Sequence, residues 1–453
     1  MKKNDLKPVD RLARRTLVKR LAAAAGALSV PSFIPASALG RDGAVAPSER
    51  IVLGGIGIGS RGWGVLASMM GLPEVQFVAV CDVRKSQREA VAKLTQTKYG
   101  TACAAYSDIR QFLAERKDLN AVLIATGNRW HAPASIMAMR AGLDVYCEKP
   151  GCLTMAEGKM VVDTARQCGR VYTAGCQRLS EPSHVFAIQT ARSGRLGKIH
   201  TVYCDARAGA ALRFDQLPAE PEPAKEELDW DAWLGPVPWR PYNKEYMFHY
   251  RPTGWGSFYD LSHDVAEWGA HSIAQALAGL DMTTASPIEF EYAPRDKNMT
   301  LHLANGVKMI LYREREDKQL FSTCGERFVG TEGWVSSADA RTDRSNVSSP
   351  ALLADYKKVL GAYTAKTGRV LHHGMDFYDC IRTRREPVAN AQVMYESMLL
   401  NIAADLCGLL QRNLKFDLKK AEFIGDDEAN RLRSRGMREP WCVLGGETVV
   451  ERA

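Results

Sequence analysis

Ile51-Val52-Leu53-Gly54-Gly55-Ile56-Gly57-Ile58-Gly59-Ser60-Arg61-Gly62 decides the fold. An apolar run of strand length ends at Gly57, glycines follow at G-x-G-x-x-G spacing, and an amphipathic segment continues from Trp63 to Met70. A second apolar run, Gln76 to Cys81, ends in Asp82, 20 residues after Gly62. Glycine-rich turns are common, so the motif alone says little. Strand, glycines, helix, strand and terminal acid in that order form the dinucleotide-binding fingerprint. Gly57 supplies the tight turn, Gly59 admits a pyrophosphate against the backbone, and Gly62 lets helix and strand pack closely. The backbone at Ser60 and Arg61 then lies at a helix amino terminus, whose unpaired N–H groups favour an anion. Asp82 is placed to accept from the adenosine ribose hydroxyls, which selects NAD over NADP because a 2′-phosphate would face its carboxylate; Arg84 and Lys85 pull the other way.

Outward from this core the βαβ rhythm continues through Lys85 to Leu94, Ala121 to Ala125 and Val145 to Tyr146, implying a parallel sheet flanked by helices. After Arg195 the rhythm stops. Strand-like runs follow at Ile199 to Cys204, Ile288 to Tyr292, Met299 to Leu303, Val307 to Tyr312 and Arg327 to Val329, with Asn305-Gly306 as a hairpin turn. Helix-like stretches at Asp376 to Ile381 and Val393 to Leu410 are expected to pack back beside the nucleotide domain. The expected organisation is a leader over 1–38, a Rossmann domain over 49–171, an α/β substrate domain over 172–370 with an insertion at 207–257, and returning helices and tail over 371–453. The insertion is rich in Trp and Tyr, among them Trp230, Trp233, Trp239, Tyr242, Tyr246 and Trp255. Such rings serve either as a rim that stacks on sugar faces or as anchors pinning a long loop to its own domain.

The 453 residues are 25% charged and 46% apolar, the composition of a globular chain of two or three domains. No unbroken apolar run of about 20 residues lies beyond the amino terminus, which excludes a polytopic membrane protein. The formal charge of +8 hints at a nucleic-acid partner until it is divided along the chain. Residues 1–38 hold eight Lys and Arg against two Asp, a net +6; only +2 remains elsewhere, so no nucleic-acid partner is indicated. Within that segment Arg14-Arg15-Thr16-Leu17-Val18-Lys19, an Ala-rich run from Leu21 to Ile34 and Ala36-Ser37-Ala38 read as a twin-arginine export signal with its cleavage site. That address puts the mature chain in the periplasm or beyond. The eleven cysteines are scattered, with no CxxC pair and no adjoining His cluster, so neither a metal site nor a regular disulfide framework is suggested.

At Glu148-Lys149-Pro150 the sequence resembles the glucose-fructose oxidoreductase and inositol dehydrogenase family (Gfo/Idh/MocA). Thr126 to His131 with Asn128, the segment Ser193 to Ile199, Asp229-Trp230-Asp231, Trp233-Leu234-Gly235-Pro236, Glu267-Trp268-Gly269-Ala270-His271 and the tail from Glu428 to Trp441 carry the likeness through nearly the whole mature chain. The resemblance implies a Rossmann domain followed by an α/β domain on a large, mostly antiparallel sheet, with a carbohydrate substrate between that sheet and the nicotinamide of NAD. It implies cofactor contacts from Asn128, His131, Glu148 and Lys149, and it makes a homo-oligomer the expected assembly.

Removing hydride from a carbinol needs a base for the hydroxyl proton and a group that holds the reacting oxygen. The resemblance puts Lys149 beside the nicotinamide, where the cofactor's positive charge would push the amine's pKa down. It makes His271 the second acid/base residue. Glu267, four residues before His271 on a helix, shares its face and is placed to orient the imidazole. Where relatives commonly carry Gly-Gly before this helix, Ser262-His263-Asp264 stands. His263 is then either an extra acid or base in the pocket or part of a helix cap made by Ser262 or Asp264. The expected activity is hydride transfer between a sugar, glycoside or cyclitol hydroxyl and a tightly held nicotinamide. The alternative is an NAD-dependent glycoside hydrolase working by transient oxidation, elimination and water addition, with His263 the feature most compatible with it.

Overall fold

The computed structural model describes residues 45–46, 49–206, 212–313, 323–339 and 342–443. The twin-arginine segment and its cleavage site lie outside the described residues, as do positions 207–211 of the insertion. β1 (Ile51–Ile56) is covered on both faces, as its nearly continuous apolar run requires of a central parallel strand. It pairs in parallel with β2 (Val75–Cys81) and β4 (Ala121–Ile124). β3 (Ala104–Tyr106), β5 (Asp144–Cys147) and β6 (Tyr172–Ala174) complete a six-stranded parallel sheet of order β3-β2-β1-β4-β5-β6. The sixth strand thus starts one residue past the expected domain end at 171. Strand order reverses between β1 and β4, so a ligand crevice opens beyond their carboxyl ends. Gly57, Asp82, Thr126 and Glu148 stand one or two residues past the ends of β1, β2, β4 and β5.

The second sheet has eight strands in the order β12-β11-β7-β10-β9-β8-β13-β14. These are β7 (Ile199–Asp205), β8 (Ile288–Glu291), β9 (Met299–Leu303), β10 (Lys308–Tyr312), β11 (Glu326–Gly330), β12 (Gly333–Ser336), β13 (Leu414–Asp417) and β14 (Glu422–Phe423). Among its pairs only β7 with β10 is parallel. Asn305-Gly306 turns β9 back into β10, with Gly306 at φ +87°.

One helix carries two residues of the site and a second buttresses it. The helix Ala266–Gly279 lies on β7 and β11, and the helix Ala391–Leu410 packs on it and on the helix Met155–Cys168. Ala391–Leu410 is long and apolar enough to cross a membrane, yet most of it is buried inside the fold. The helix His373–Thr383 returns to the first sheet, where Phe377 and Tyr378 join Leu53, Phe77 and Tyr146 in one core cluster. Each of those aromatic rings contributes roughly 2–3 kcal/mol of apolar burial, which fixes this segment beside the nucleotide domain.

Candidate active site

The glycine turn is shaped for a bulky anion. Gly57 sits at φ +67°, and a Cβ there would fall on Thr126. A Cβ at Gly62 would meet the Ala125 Cβ at 2.7 Å, so helix and strand are as close as a glycine allows. A Cβ at Gly59 would meet only the Arg84 guanidinium at 3.9 Å, so the surface that must admit a pyrophosphate is open. Gly57, Gly59, Ser60, Arg61 and Asp82 all line one cavity of about 900 Å³. The Asp82 carboxylate accepts from the Arg84 backbone N–H at 2.9 Å. Burial raises its pKa, with Arg84 and Arg88 acting against that shift. Lys85 turns away to pair with Glu227 at 2.7 Å, while the Arg84 guanidinium stays 3.9 Å from Asp82. These residues fit the adenosine and pyrophosphate of a dinucleotide.

The insertion closes this cavity from above. The Lys85 N–H donates to the Glu227 carbonyl at 3.0 Å and the Asp229 N–H to the Val83 carbonyl at 3.2 Å, stitching the insertion to the loop after β2. Trp230 and Trp233 stack with centroids 4.6 Å apart, and with Tyr246 and Phe258 they build a core of the insertion's own. Anchoring is therefore the role of Trp230, Tyr242 and Tyr246. Trp233 does both, since it also lines the cavity with Arg129 over its ring at 3.6 Å. Trp255 is a wall residue, and Trp239 is exposed.

A second cavity, of about 360 Å³, adjoins the first and shares Arg61, Thr126, His249, Tyr250 and Trp255 with it. Lys149, Glu267, His271, Asn128, His131 and Glu148 all line it. The Lys149–Pro150 peptide is cis, and the His131 Nδ1 lies 2.6 Å from the Pro150 carbonyl. Burial drives the His131 ring down to about 4, so it is neutral, and its short Nδ1 contact pins the Lys149 turn. Glu148 accepts from the Gln177 amide at 2.8 Å and faces the Arg61 guanidinium at 3.3 Å. The Lys149 ammonium donates to the Glu267 carbonyl at 2.6 Å and stands 3.8 Å from that residue's carboxylate. Glu267 in turn accepts from the Asn128 amide (2.7 Å) and the Ser262 hydroxyl (3.1 Å), and faces His249 Nε2 at 3.3 Å.

Among the protein's own groups, burial is the largest single influence on Lys149 and lowers its pKa, but the Glu267 and Glu148 carboxylates together more than offset it and hold it above its ordinary value; the lowering expected from a nicotinamide's charge is a separate influence. Three expectations need correction. Glu267 does not orient His271; its oxygens are taken by Asn128, Ser262, His249 and Lys149, and His271 Nδ1 has no hydrogen-bond partner among the described residues. His263 lies outside this cavity, its ring set between Asp405 (2.9 Å) and the Cys152 carbonyl (2.9 Å). Nor do Ser262 or Asp264 cap the helix: Asp405 accepts from the Val265 N–H at 2.8 Å, while Asp264 pairs with Arg295. For Glu267, His263 and the start of the helix the decisive partners, Asn128 and Asp405, lie far away in sequence. Asn128 lines the same cavity, with its amide donated to Glu267 and Ser262.

Burial lowers the His271 pKa well below its ordinary value, helped by the charges of Lys149, Arg178 and Arg61. One cavity thus presents a charged amine and a neutral imidazole. Sequence reasoning missed His249, which stacks on Trp255 with centroids 4.0 Å apart. Its setting between Phe248 and Tyr250 inside an aromatic insertion was the available signal.

Comparison with known proteins follows the same outline. Residues 50–176 match the family described as oxidoreductase family, NAD-binding Rossmann fold, and residues 188–443 match its C-terminal alpha/beta domain. D-glucoside 3-dehydrogenase of Escherichia coli (strain K12) is 34% identical over 133 residues, 28% of this chain and 34% of that protein. A glycosyl hydrolase family 109 protein of Shewanella sp. (strain W3-18-1) is 33% identical over 133 residues, 28% of each. The chain spans about a third of the length of these curated relatives. Among solved structures, WlbA dehydrogenase from Bordetella pertussis in complex with NADH and UDP-GlcNAcA superposes with TM-score 0.56 at 15% identity, over 80% of this chain and 98% of that one. Aldose-aldose oxidoreductase from Caulobacter crescentus gives 0.53 at 16%, over 81% and 100%. At these identities the structures speak for the fold.

Proposed function

The chain belongs to the Gfo/Idh/MocA oxidoreductase family, and on that premise we propose that it is an exported enzyme that oxidises or reduces a ring hydroxyl of a sugar, glycoside or cyclitol, using a tightly held NAD. The observation that carries this reading is that Lys149 and His271 line one cavity that shares walls with the dinucleotide cradle. The backbone at Gly57, Gly59, Ser60 and Gly62, with Arg61 and Asp82, would hold the cofactor. Asp82 favours NAD over NADP. When bound, the nicotinamide accepts or returns the hydride. Lys149 donates to the reacting oxygen and stabilises the negative charge that develops on it. His271, a neutral imidazole on the cavity wall, takes the hydroxyl proton in oxidation and gives it back in reduction. Glu267 keeps Lys149 charged and in place, and His131 holds the turn that presents it.

Two lines support a carbohydrate: the glucoside dehydrogenase relative, and a cavity polar enough to meet several hydroxyls at once. The hydrolytic alternative retains the name of the glycosyl hydrolase relative, but His263, the side chain attached to it, lies outside the cavity. Export rests on Arg14-Arg15 and the segment after them, and a homo-oligomer on the family resemblance. The test follows nicotinamide reduction and aglycone release together, on the mature protein with a panel of chromogenic glycosides, the products being identified by mass. Keto-glycoside formed in step with reduced nicotinamide supports the proposal. Aglycone and free sugar released without net reduction would replace it with the hydrolase.

A further inference from the structure

Of the six exposed large hydrophobic side chains among the described residues, Phe214, Trp239, Phe248 and Tyr250 come from the insertion. Tyr250 is the most open, at 78% exposure, yet it lines both the dinucleotide cavity and the cavity of Lys149 and His271. Its ring lies 4.1 Å from that of His249, which stacks in turn on Trp255 at 4.0 Å with the planes 3° apart. Three rings therefore form a ladder whose outer end is uncovered. A single exposed apolar residue needs no explanation, but one pre-stacked at the mouth of a polar cavity does.

The inner rings of the ladder and the loop that bears it are held in place. His249 Nε2 faces the Glu267 carboxylate that also holds Lys149. A Cβ at Gly256 would collide with the His249 ring, so glycine is what leaves room for it. The Trp255 N–H donates to the Phe248 carbonyl at 2.8 Å, and the Thr253 hydroxyl donates to Glu245 at 3.0 Å, closing the loop on itself. Arg251 lies over the Phe248 ring at 3.5 Å. Tyr250 thus projects from a loop closed on itself and rests on a fixed imidazole, so little of the loop's freedom is lost when a ligand stacks on the ring, which is the property of a recognition platform.

We infer that Tyr250 is a stacking platform for a second ring of the substrate, so that the preferred substrate is a glycoside whose aglycone is itself a ring, either another sugar or an aromatic group. The inference rests on the carbohydrate reading of the cavity and narrows it. The reacting sugar occupies the chamber of Lys149 and His271, and the aglycone lies over the exposed Tyr250 face. An aromatic contact of this kind contributes enough for about a three- to tenfold preference.

The experiment measures affinity by calorimetry on the NADH-loaded protein for three glycosides of one sugar, with methyl, phenyl and second-sugar aglycones. The wild type is compared with Tyr250→Ala and Tyr250→Phe, and NADH affinity is measured alongside. The expected result is a preference for the phenyl or disaccharide ligand over the methyl glycoside that falls about three- to tenfold in Tyr250→Ala and returns in Tyr250→Phe. Which of the two ring ligands shows the loss identifies the aglycone. An unchanged preference in Tyr250→Ala overturns the inference, and so does a loss of NADH affinity in its place, which would assign the ring to the cofactor. Because the readout is binding, ring-dependent affinity without any turnover would sustain the platform while removing the oxidoreductase reading.

Discussion

Removing the Glu267 carboxylate tests the electrostatic arrangement of the site most directly. Lys149 Nζ and Glu267 Oε2 are 3.8 Å apart, and their side chains are 16% and 6% exposed. At an effective dielectric of about 20 this separation corresponds to an attraction of ~4 kcal/mol. Glu267→Gln keeps the backbone carbonyl that Lys149 also uses but leaves a buried ammonium without its nearest carboxylate, at a cost of about 3 kcal/mol. Lys149→Met leaves Glu267 with Asn128, Ser262 and His249 and is the milder change. The double variant should then be more stable than the sum of the singles by about 2–3 kcal/mol. Equilibrium denaturation at pH 7 without nicotinamide, with the m-value checked for constancy, reads these differences. The pH dependence has a definite sign. The Glu267 carboxyl is held far below its ordinary 4.5, where burial alone would raise it, because Lys149 and His249 outweigh burial. Its contribution is fully present above about 4.5 and is lost as pH falls towards the folded-state value. Lys149 is raised above 10.5, so its contribution is present below that value and is lost at higher pH. The wild-type advantage over Glu267→Gln should therefore be flat across neutral pH and shrink in acid. Strictly additive singles, or an advantage that grows below pH 4, would refute this account.

The other predictions concern the cradle and the two histidines. Gly59→Ala meets open space, so the protein's melting temperature without cofactor should hold while NADH affinity, read by fluorescence titration, drops about tenfold or more through lost pyrophosphate contacts. Gly57→Ala forces φ +67° on a residue with a Cβ that falls on Thr126, so it should lose both NADH affinity and about 1–2 kcal/mol of stability. His271→Ala should abolish turnover in a single-turnover assay while leaving NADH affinity in place. His263→Gln should leave kcat and KM within about twofold but destabilise the fold by ~1–3 kcal/mol, because the ring bridges Asp405 and the Cys152 carbonyl. Burial opposes charge on His263, but Asp405 outweighs it and holds the ring above its ordinary 6.5. The stability it contributes is thus greatest below 6.5 and fades as pH rises, a slope that denaturation of the wild type against His263→Gln would show.

The cradle was legible because everything that makes it is local. Gly57, Gly59, Gly62 and Asp82 lie within 26 residues on consecutive elements, at or beside a strand end or a helix start. The second sheet was legible for a related reason: alternating runs and the Asn305-Gly306 turn set the strands, although its order, with β7 beside β10 and β11, comes from contacts over a hundred residues apart. The acid/base chamber was legible in its residue types and not in its wiring. Helical spacing correctly puts Glu267 and His271 on one helix, but spacing cannot report that Asn128, 139 positions earlier, claims the carboxylate. For the same reason His263 looked available: Asp405 is 142 residues away and becomes its neighbour only when the helix Ala391–Leu410 packs on Ala266–Gly279. The ladder of Tyr250, His249 and Trp255 marks the far limit. Its three rings are close in sequence, yet nothing in their spacing separates them from Trp230 and Tyr246, which turn inward. What separates them is space: the inner rings fill a core that has room for them, whereas Gly256 leaves room for the His249 ring beside the cavity, and Tyr250 stays exposed on the walls of both cavities.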